Sequence, residues 1–163
     1  MKVFMMLITL IFIVGCNGKS AEVEKLKAEN EQLKKQVQAA EKVQAETDLR
    51  NKYIVAMQDV KILGGTLESY ITDNSKPPEH NSFKEMALDT NIVPYYIKKM
   101  PVLDPWGNEY YYKRSNDGEY GTYWIGCAGS DGVFNGFDQM GNSDLRAGID
   151  IVYSNGGFKL APK

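Results

Sequence analysis

Few residues of this chain are of the types that carry out chemistry, and imidazoles and thiols are the scarcest. The sequence contains one histidine, His80, and two cysteines, Cys16 and Cys127. A single histidine excludes any site that needs two imidazoles, and two cysteines cannot build a disulfide framework. No pair of carboxylates is marked by its spacing for acid–base catalysis. We therefore expect that the protein is not an enzyme.

Length and charge limit the class of protein further. With 163 residues, the chain is long enough for one ordinary domain and an appendage. Its formal net charge of -2 gives no electrostatic basis for binding nucleic acid. We predict no nucleic-acid partner.

Cys16 directly follows a hydrophobic segment near the start of the chain. Residues 3–14 are apolar except for Thr9, and this segment is shorter than the roughly 20 residues that a membrane-spanning helix needs. It is typical of a signal peptide. The sequence Ile13-Val14-Gly15-Cys16 resembles the lipobox of bacterial lipoproteins. That resemblance implies cleavage after Gly15 and a covalent lipid on the Cys16 sulfur; a plain secretory signal and a short uncleaved anchor are the alternatives.

A lipidated Cys16 would determine where the protein lies. Residues 1–15 would be the lipoprotein signal peptide, and residues 16–19 the lipidated N-terminus and tether. The mature protein would be held on a membrane of the cell envelope by its lipid, facing the periplasm or the exterior. Asn17 rather than Asp follows the cysteine, which favours the outer membrane under the sorting rules of enteric bacteria.

Residues 20–52 contain no proline or glycine and are dominated by good helix formers, which predicts a charged helical stalk. A heptad pattern places Val23, Asn30, Val37 and Gln44 at position a, and Leu26, Leu33, Ala40 and Thr47 at position d. A parallel homodimer through residues 20–47 would pair Glu22 with Lys27 and Glu29 with Lys34. A solvated single helix is equally compatible with the pattern.

Residues 53–163 have the pattern of a globular domain. The helix is expected to continue, since apolar residues recur at steps of three and four: Tyr53, Met57, Val60, Leu63, Leu67 and Tyr70. A short helix is predicted after Ser82, ending near Asn91. Strands are predicted at residues 109–113, 120–127, 149–153 and 158–160. The fold class is therefore α+β, with a long N-terminal helix packing onto a small antiparallel sheet.

Several stretches of this domain resemble one protein family. These are Leu67-Glu68-Ser69-Tyr70-Ile71-Thr72-Asp73-Asn74, Asp104-Pro105-Trp106-Gly107-Asn108-Glu109-Tyr110, Gly129-Ser130-Asp131-Gly132 and Asp150-Ile151-Val152-Tyr153-Ser154-Asn155-Gly156. Together they resemble the major pseudopilin of type II secretion, its G component, over roughly residues 53–157. Asp104, Pro105, Trp106, Gly107 and Asn108 also make sense without the family, because these residue types form a tight structural corner.

The resemblance also implies a metal site, because the C-terminal loop of major pseudopilins binds calcium. Hard oxygen ligands suit that ion. The implied ligands here are Asp131, a carbonyl near Ala128, Asp150, and one of Asp138 or Asp144. The family often has consecutive aspartates where this chain has Gly148-Ile149-Asp150, which removes some ligands. The alternative is a loop whose Asn, Gly and Asp residues serve only its turns.

The N-terminal part departs from the family. Pseudopilins keep a membrane-spanning helix after a Gly-Phe processing site, and that helix forms the filament core. Here the expected lipid anchor and stalk take its place. We therefore expect a lipid-anchored envelope module, structural or protein-binding, whose partners are envelope or secretion-system proteins. The alternatives are a filament subunit of a type II secretion or type IV pilus-like machine, and an envelope enzyme or small-ligand binder using the Asp-rich loop.

Overall fold

The computed structural model describes residues 19–144 and 146–163. The predictions for the signal peptide, for residues 16–18 and for lipidation of Cys16 lie outside these ranges. The chain divides into two compact units, the first ending at Val43 and the second comprising Gln44–Lys163. The predicted boundary between residues 52 and 53 stays a prediction.

Helix α1, Lys19–Asn74, runs through the predicted stalk and into the globular domain. In the second unit it buries one stripe of residues, each at most 1% exposed: Tyr53, Ala56, Val60, Leu63 and Leu67. Gly64 lies beside this stripe, where a Cβ atom would come within 2.4 Å of the Tyr153 ring. The glycine therefore lets the helix approach the sheet closely.

The sheet has five strands in the order β1-β2-β4-β5-β3. They are β1 Tyr111–Ser115, β2 Thr122–Cys127, β3 Gly141–Ser143, β4 Ile151–Ser154 and β5 Gly157–Pro162. Neighbouring strands are antiparallel except β3, which pairs parallel with β5. Ile125, Cys127, Ile151 and Tyr153 of the sheet join the stripe of α1 in one hydrophobic core. The predicted α+β fold is confirmed.

The first predicted strand was placed too early in the sequence. The structure shifts it from residues 109–113 to β1, because Glu109 forms an isolated bridge with Leu103 instead. The Tyr110 N–H likewise donates to the Val102 carbonyl oxygen at 3.2 Å rather than to a strand. Residues 109 and 110 therefore close the corner that precedes the sheet.

Other predicted bounds also differ from the structure. The second and third strands were predicted to begin at residues 120 and 149, two residues before the observed starts of β2 and β4 at Thr122 and Ile151. The last strand is longer than predicted because β5 is paired on both sides. Strand β3 was missed, since Gly141-Asn142-Ser143 has no alternation of apolar residues. Helix α2, Phe83–Met86, ends well before Asn91, and turns follow it.

Candidate functional site

Asp104 organises a tight corner just before the sheet. Its side chain is buried, and its Oδ1 accepts the backbone N–H groups of Trp106 and Asn108, each at 2.9 Å. The Asp104 N–H donates to the Asn108 carbonyl oxygen at 2.8 Å, which closes the turn. Gly107 has a φ of +94°, a conformation that glycine adopts without strain. The Asp104 carboxylate thus holds the backbone of the Asp-Pro-Trp-Gly-Asn segment.

The corner is attached to both helix α1 and strand β2. The Trp106 ring contacts the Tyr53 ring edge-on, with centroids 4.7 Å apart. On the other side, the Cys127 thiol donates to Asp104 Oδ2 at 3.4 Å. Burial is the largest of several causes that raise the pKa of the Cys127 thiol, so this residue stays protonated and packs as a small core residue.

Tyr53 connects α1 to the segment that precedes β4. Its hydroxyl donates to the Ile149 carbonyl oxygen at 3.0 Å and accepts the Ile149 N–H at 2.9 Å. Gly129 lies against this pair: a Cβ atom there would come within 2.7 Å of the Tyr53 hydroxyl and 2.2 Å of the Ile149 oxygen. One side chain of the helix therefore satisfies both backbone groups of a buried residue on the far side of the core.

Asp150 is the acidic residue through which the long C-terminal loop is held. Only 2% of it is exposed, and its Oδ2 accepts the Asn135 N–H at 2.8 Å and the Gln139 side-chain amide at 2.7 Å. Oδ1 is buried, and no donor among the described residues reaches it. Neither Asn135 nor Gln139 was predicted from the sequence. Their contacts with Asp150 form only when the chain folds, and the spacing of the two residues along the sequence gives no sign of them.

The same loop covers the face of the sheet opposite the helix. The Phe134 ring stacks on Tyr111 with centroids 4.5 Å apart, and Phe137 contacts Phe134 edge-on. At Gly126 a Cβ atom would lie 2.3 Å from the Phe134 ring, so only glycine lets the ring lie flat on β2. A glycine inside a strand is the sequence signal that could have predicted this close approach.

The residues implied as calcium ligands differ in how far they are buried. Ala128 is buried before the turn Gly129–Asp131; Asp131, Asp138 and Asp144 are exposed; Asp150 is buried. The Asp131 carboxylate accepts the Val133 N–H at 3.0 Å and borders Gly148, two residues before Asp150. Across residues 19–144 and 146–163, no three carboxylate, thiol or imidazole side chains form a group suited to a metal ion.

These positions give a partial fit for calcium. The Oδ1 atom of Asp150 is a buried oxygen without a protein donor among the described residues, and backbone carbonyls would have to complement so few carboxylates. The structure does not bring Asp138 or Asp144 into an acidic cluster with Asp131 and Asp150. The calcium prediction therefore depends on Asp131, Asp150 and backbone oxygens.

A known protein family matches most of the chain, including most of its α+β globular domain, residues 53–163 (the head). A family model described as Type II secretion system (T2SS), protein G matches residues 19–145, and the chain belongs to that family. This confirms the resemblance to the pseudopilin G component. No solved structure matches the chain. In the described ranges, no helix has both the length and the apolar character needed to cross a membrane.

Curated relatives are named Type II secretion system core protein G. The chain is 33% identical to the Escherichia coli K12 protein over 99 residues, in a match that covers 55% of this chain and 66% of that one. It is 32% identical to the Pseudomonas aeruginosa protein over 103 residues, in a match that covers 57% of this chain and 72% of the relative. With the Vibrio cholerae protein the identity is 35% over 100 residues, covering 56% and 68%. The chain thus spans about two thirds of these relatives.

The Tyr53 hydroxyl can be tested by removing it alone. We expect Tyr53→Phe to lower the free energy of unfolding by about 1–3 kcal/mol, because it leaves the buried N–H and C=O of Ile149 without a partner. The control is Tyr95→Phe, since Tyr95 is 77% exposed, and its cost should stay within about 0.5 kcal/mol. Urea denaturation of both variants measures the difference, and equal stabilities would contradict the role given to Tyr53.

Proposed function

We propose that this protein is a structural subunit of a type II secretion-type machine in the bacterial cell envelope. The observation that carries the proposal is the family match across residues 19–145, which includes the whole of α1 and the Asp104 corner. The buried carboxylates support a structural role rather than an enzymatic one, because Asp104 and Asp150 accept backbone and amide N–H groups of the protein itself.

The proposal predicts which proteins lie next to this one in the cell and what happens to protein export when its gene is deleted. A tagged full chain, cross-linked in intact cells of its own bacterium, should be recovered together with other secretion-system proteins. Deleting the gene should deplete exported proteins from the medium, and the wild-type chain should restore them. The Tyr95→Phe chain should restore them as well. Recovery of the chain without any secretion-system protein, with export unchanged by the deletion, would contradict the proposal.

A second proposal concerns attachment: Cys16 carries a lipid, and the head is displayed from a membrane. It is supported by the residue types of Ile13-Val14-Gly15-Cys16 at the end of a short apolar segment. Two or more acyl chains would anchor the protein stably, because each buried CH₂ contributes about 0.8 kcal/mol. Under this proposal the head takes part in the machine without entering a filament through the family's own N-terminal helix.

The intact mass of the membrane-extracted protein tests lipidation. We expect a chain that begins at Cys16 and carries a diacylglyceryl group, and a Cys16→Ser chain that lacks this mass and is no longer processed after Gly15. A wild-type product that retains Met1, or an unmodified Cys16, would exclude the lipid anchor. This result does not decide the secretion-machine proposal, which is tested separately by the proteins that cross-link to the chain.

Calcium is a further proposal for the head, supported by the unpaired Asp150 Oδ1 and by the Asp131 carboxylate beside Gly148. Calcium at about 100 times its Kd should raise the Tm by on the order of 5–10 °C relative to excess chelator. Asp131→Asn should reduce this shift, whereas Glu119→Gln, an exposed carboxyl outside the loop, should keep it. No shift in the wild-type Tm would remove calcium from the account.

A further inference from the structure

The part of α1 that lies in the first unit presents large apolar side chains to solvent. Four of them are strongly exposed in the single chain: Val23 at 46%, Leu26 at 54%, Leu33 at 52% and Val37 at 41%. By contrast, the stripe that α1 buries in the second unit is at most 1% exposed. Regularly spaced apolar residues on a charged helix are typical of a surface that another helix covers.

These four residues follow a heptad, whereas Val43, which is 63% exposed, lies at position g outside it. Val23 and Val37 lie at position a and Leu26 and Leu33 at position d, with Asn30 at the a position between them. Counted on from Val23, the same heptad places Tyr53 and Val60 at position c. The exposed residues at positions a and d therefore do not share the heptad position of these two buried residues.

We propose that residues 22–40 pair with the same residues of a second copy of this chain as a parallel two-stranded coiled coil. Valine at position a with leucine at position d favours two strands. Asn30 would face its own counterpart at the a layer, an arrangement that fixes register at some cost in stability. In the single chain its side-chain amide only donates back to the Leu26 carbonyl oxygen, and the residue is exposed.

The charges at positions e and g indicate that the two helices are parallel and that the partner is a second copy of this chain. In a parallel pair, position g of one helix contacts position e of the next heptad of the other, so Glu22 meets Lys27 and Glu29 meets Lys34. An antiparallel pair would place these glutamates against glutamates and the lysines against lysines. The ion pair within the helix, Glu31 with Lys35 at 3.4 Å, lies at positions b and f and leaves the seam undisturbed. The surface is thus complementary to itself in one orientation only.

Cysteine cross-linking in the full chain tests the seam. In a Cys16→Ser background, Leu33→Cys places a thiol at position d, and Lys35→Cys places one at position f; the native Cys127 is buried. Oxidation in cells should convert Leu33→Cys to a product of twice the chain mass. Lys35→Cys should give several-fold less, because cysteines with Cα atoms more than about 7 Å apart cannot be bridged.

Three outcomes of this experiment would overturn the proposal. They are no cross-linked product, equal yields from the two positions, and a product whose mass corresponds to a different protein.

Charge reversal tests the orientation independently. Lys27→Glu with Lys34→Glu should weaken dimerisation of the purified chain by roughly tenfold or more, since all the g–e contacts become repulsive. Adding Glu22→Lys with Glu29→Lys should restore most of the affinity. The matched control, Lys25→Glu with Lys42→Glu, changes the same charges at positions c and f and should have little effect. Equal weakening in the control, or no rescue, in sedimentation equilibrium would contradict the proposal; circular dichroism checks that α1 stays helical in every variant.

Discussion

The paired hydrogen bonds between the Tyr53 hydroxyl and the backbone of Ile149 are the contact on which the head depends. Both backbone groups of Ile149 are buried, so each would cost free energy if it lost its partner. Because Tyr53 lies on α1 and Ile149 precedes β4, the contact sets the position of the last strands relative to the helix. Burial also raises the pKa of Tyr53, which keeps its hydroxyl protonated and able to donate.

The polar groups near this contact hold neighbouring backbone segments in place. Asp104 holds the turn that carries Trp106, and the Trp106 ring in turn contacts Tyr53. Asp150, directly after Ile149, holds the loop at Asn135, so that Phe134 covers β2. Both carboxylates therefore hold backbone segments in place within a domain of the type II secretion protein G family.

Local patterns predicted part of this structure, and long-range contacts account for what they missed. The apolar spacing from Tyr53 onward predicted α1, and β-branched and aromatic residues between turn-forming segments predicted β2 and β4, because both signals are contained in neighbouring residues. The short strand β3 depends on pairing with β5, which no local pattern shows. The role of the Tyr53 hydroxyl was missed because a tyrosine on an apolar stripe looks like any other core residue. The lipid, the calcium ion and the dimer remain predictions.

Hydrogen exchange of the Ile149 amide tests the central contact most directly. If the Tyr53 hydroxyl holds this buried segment against α1, the amide should exchange only with global unfolding, as we also expect of the core amides of β2. The Val133 amide, which donates only to the exposed Asp131 carboxylate, is the internal comparison and should exchange much faster. Exchange of Ile149 at the rate of Val133 would show that the segment opens without the helix, and would contradict this account of the head.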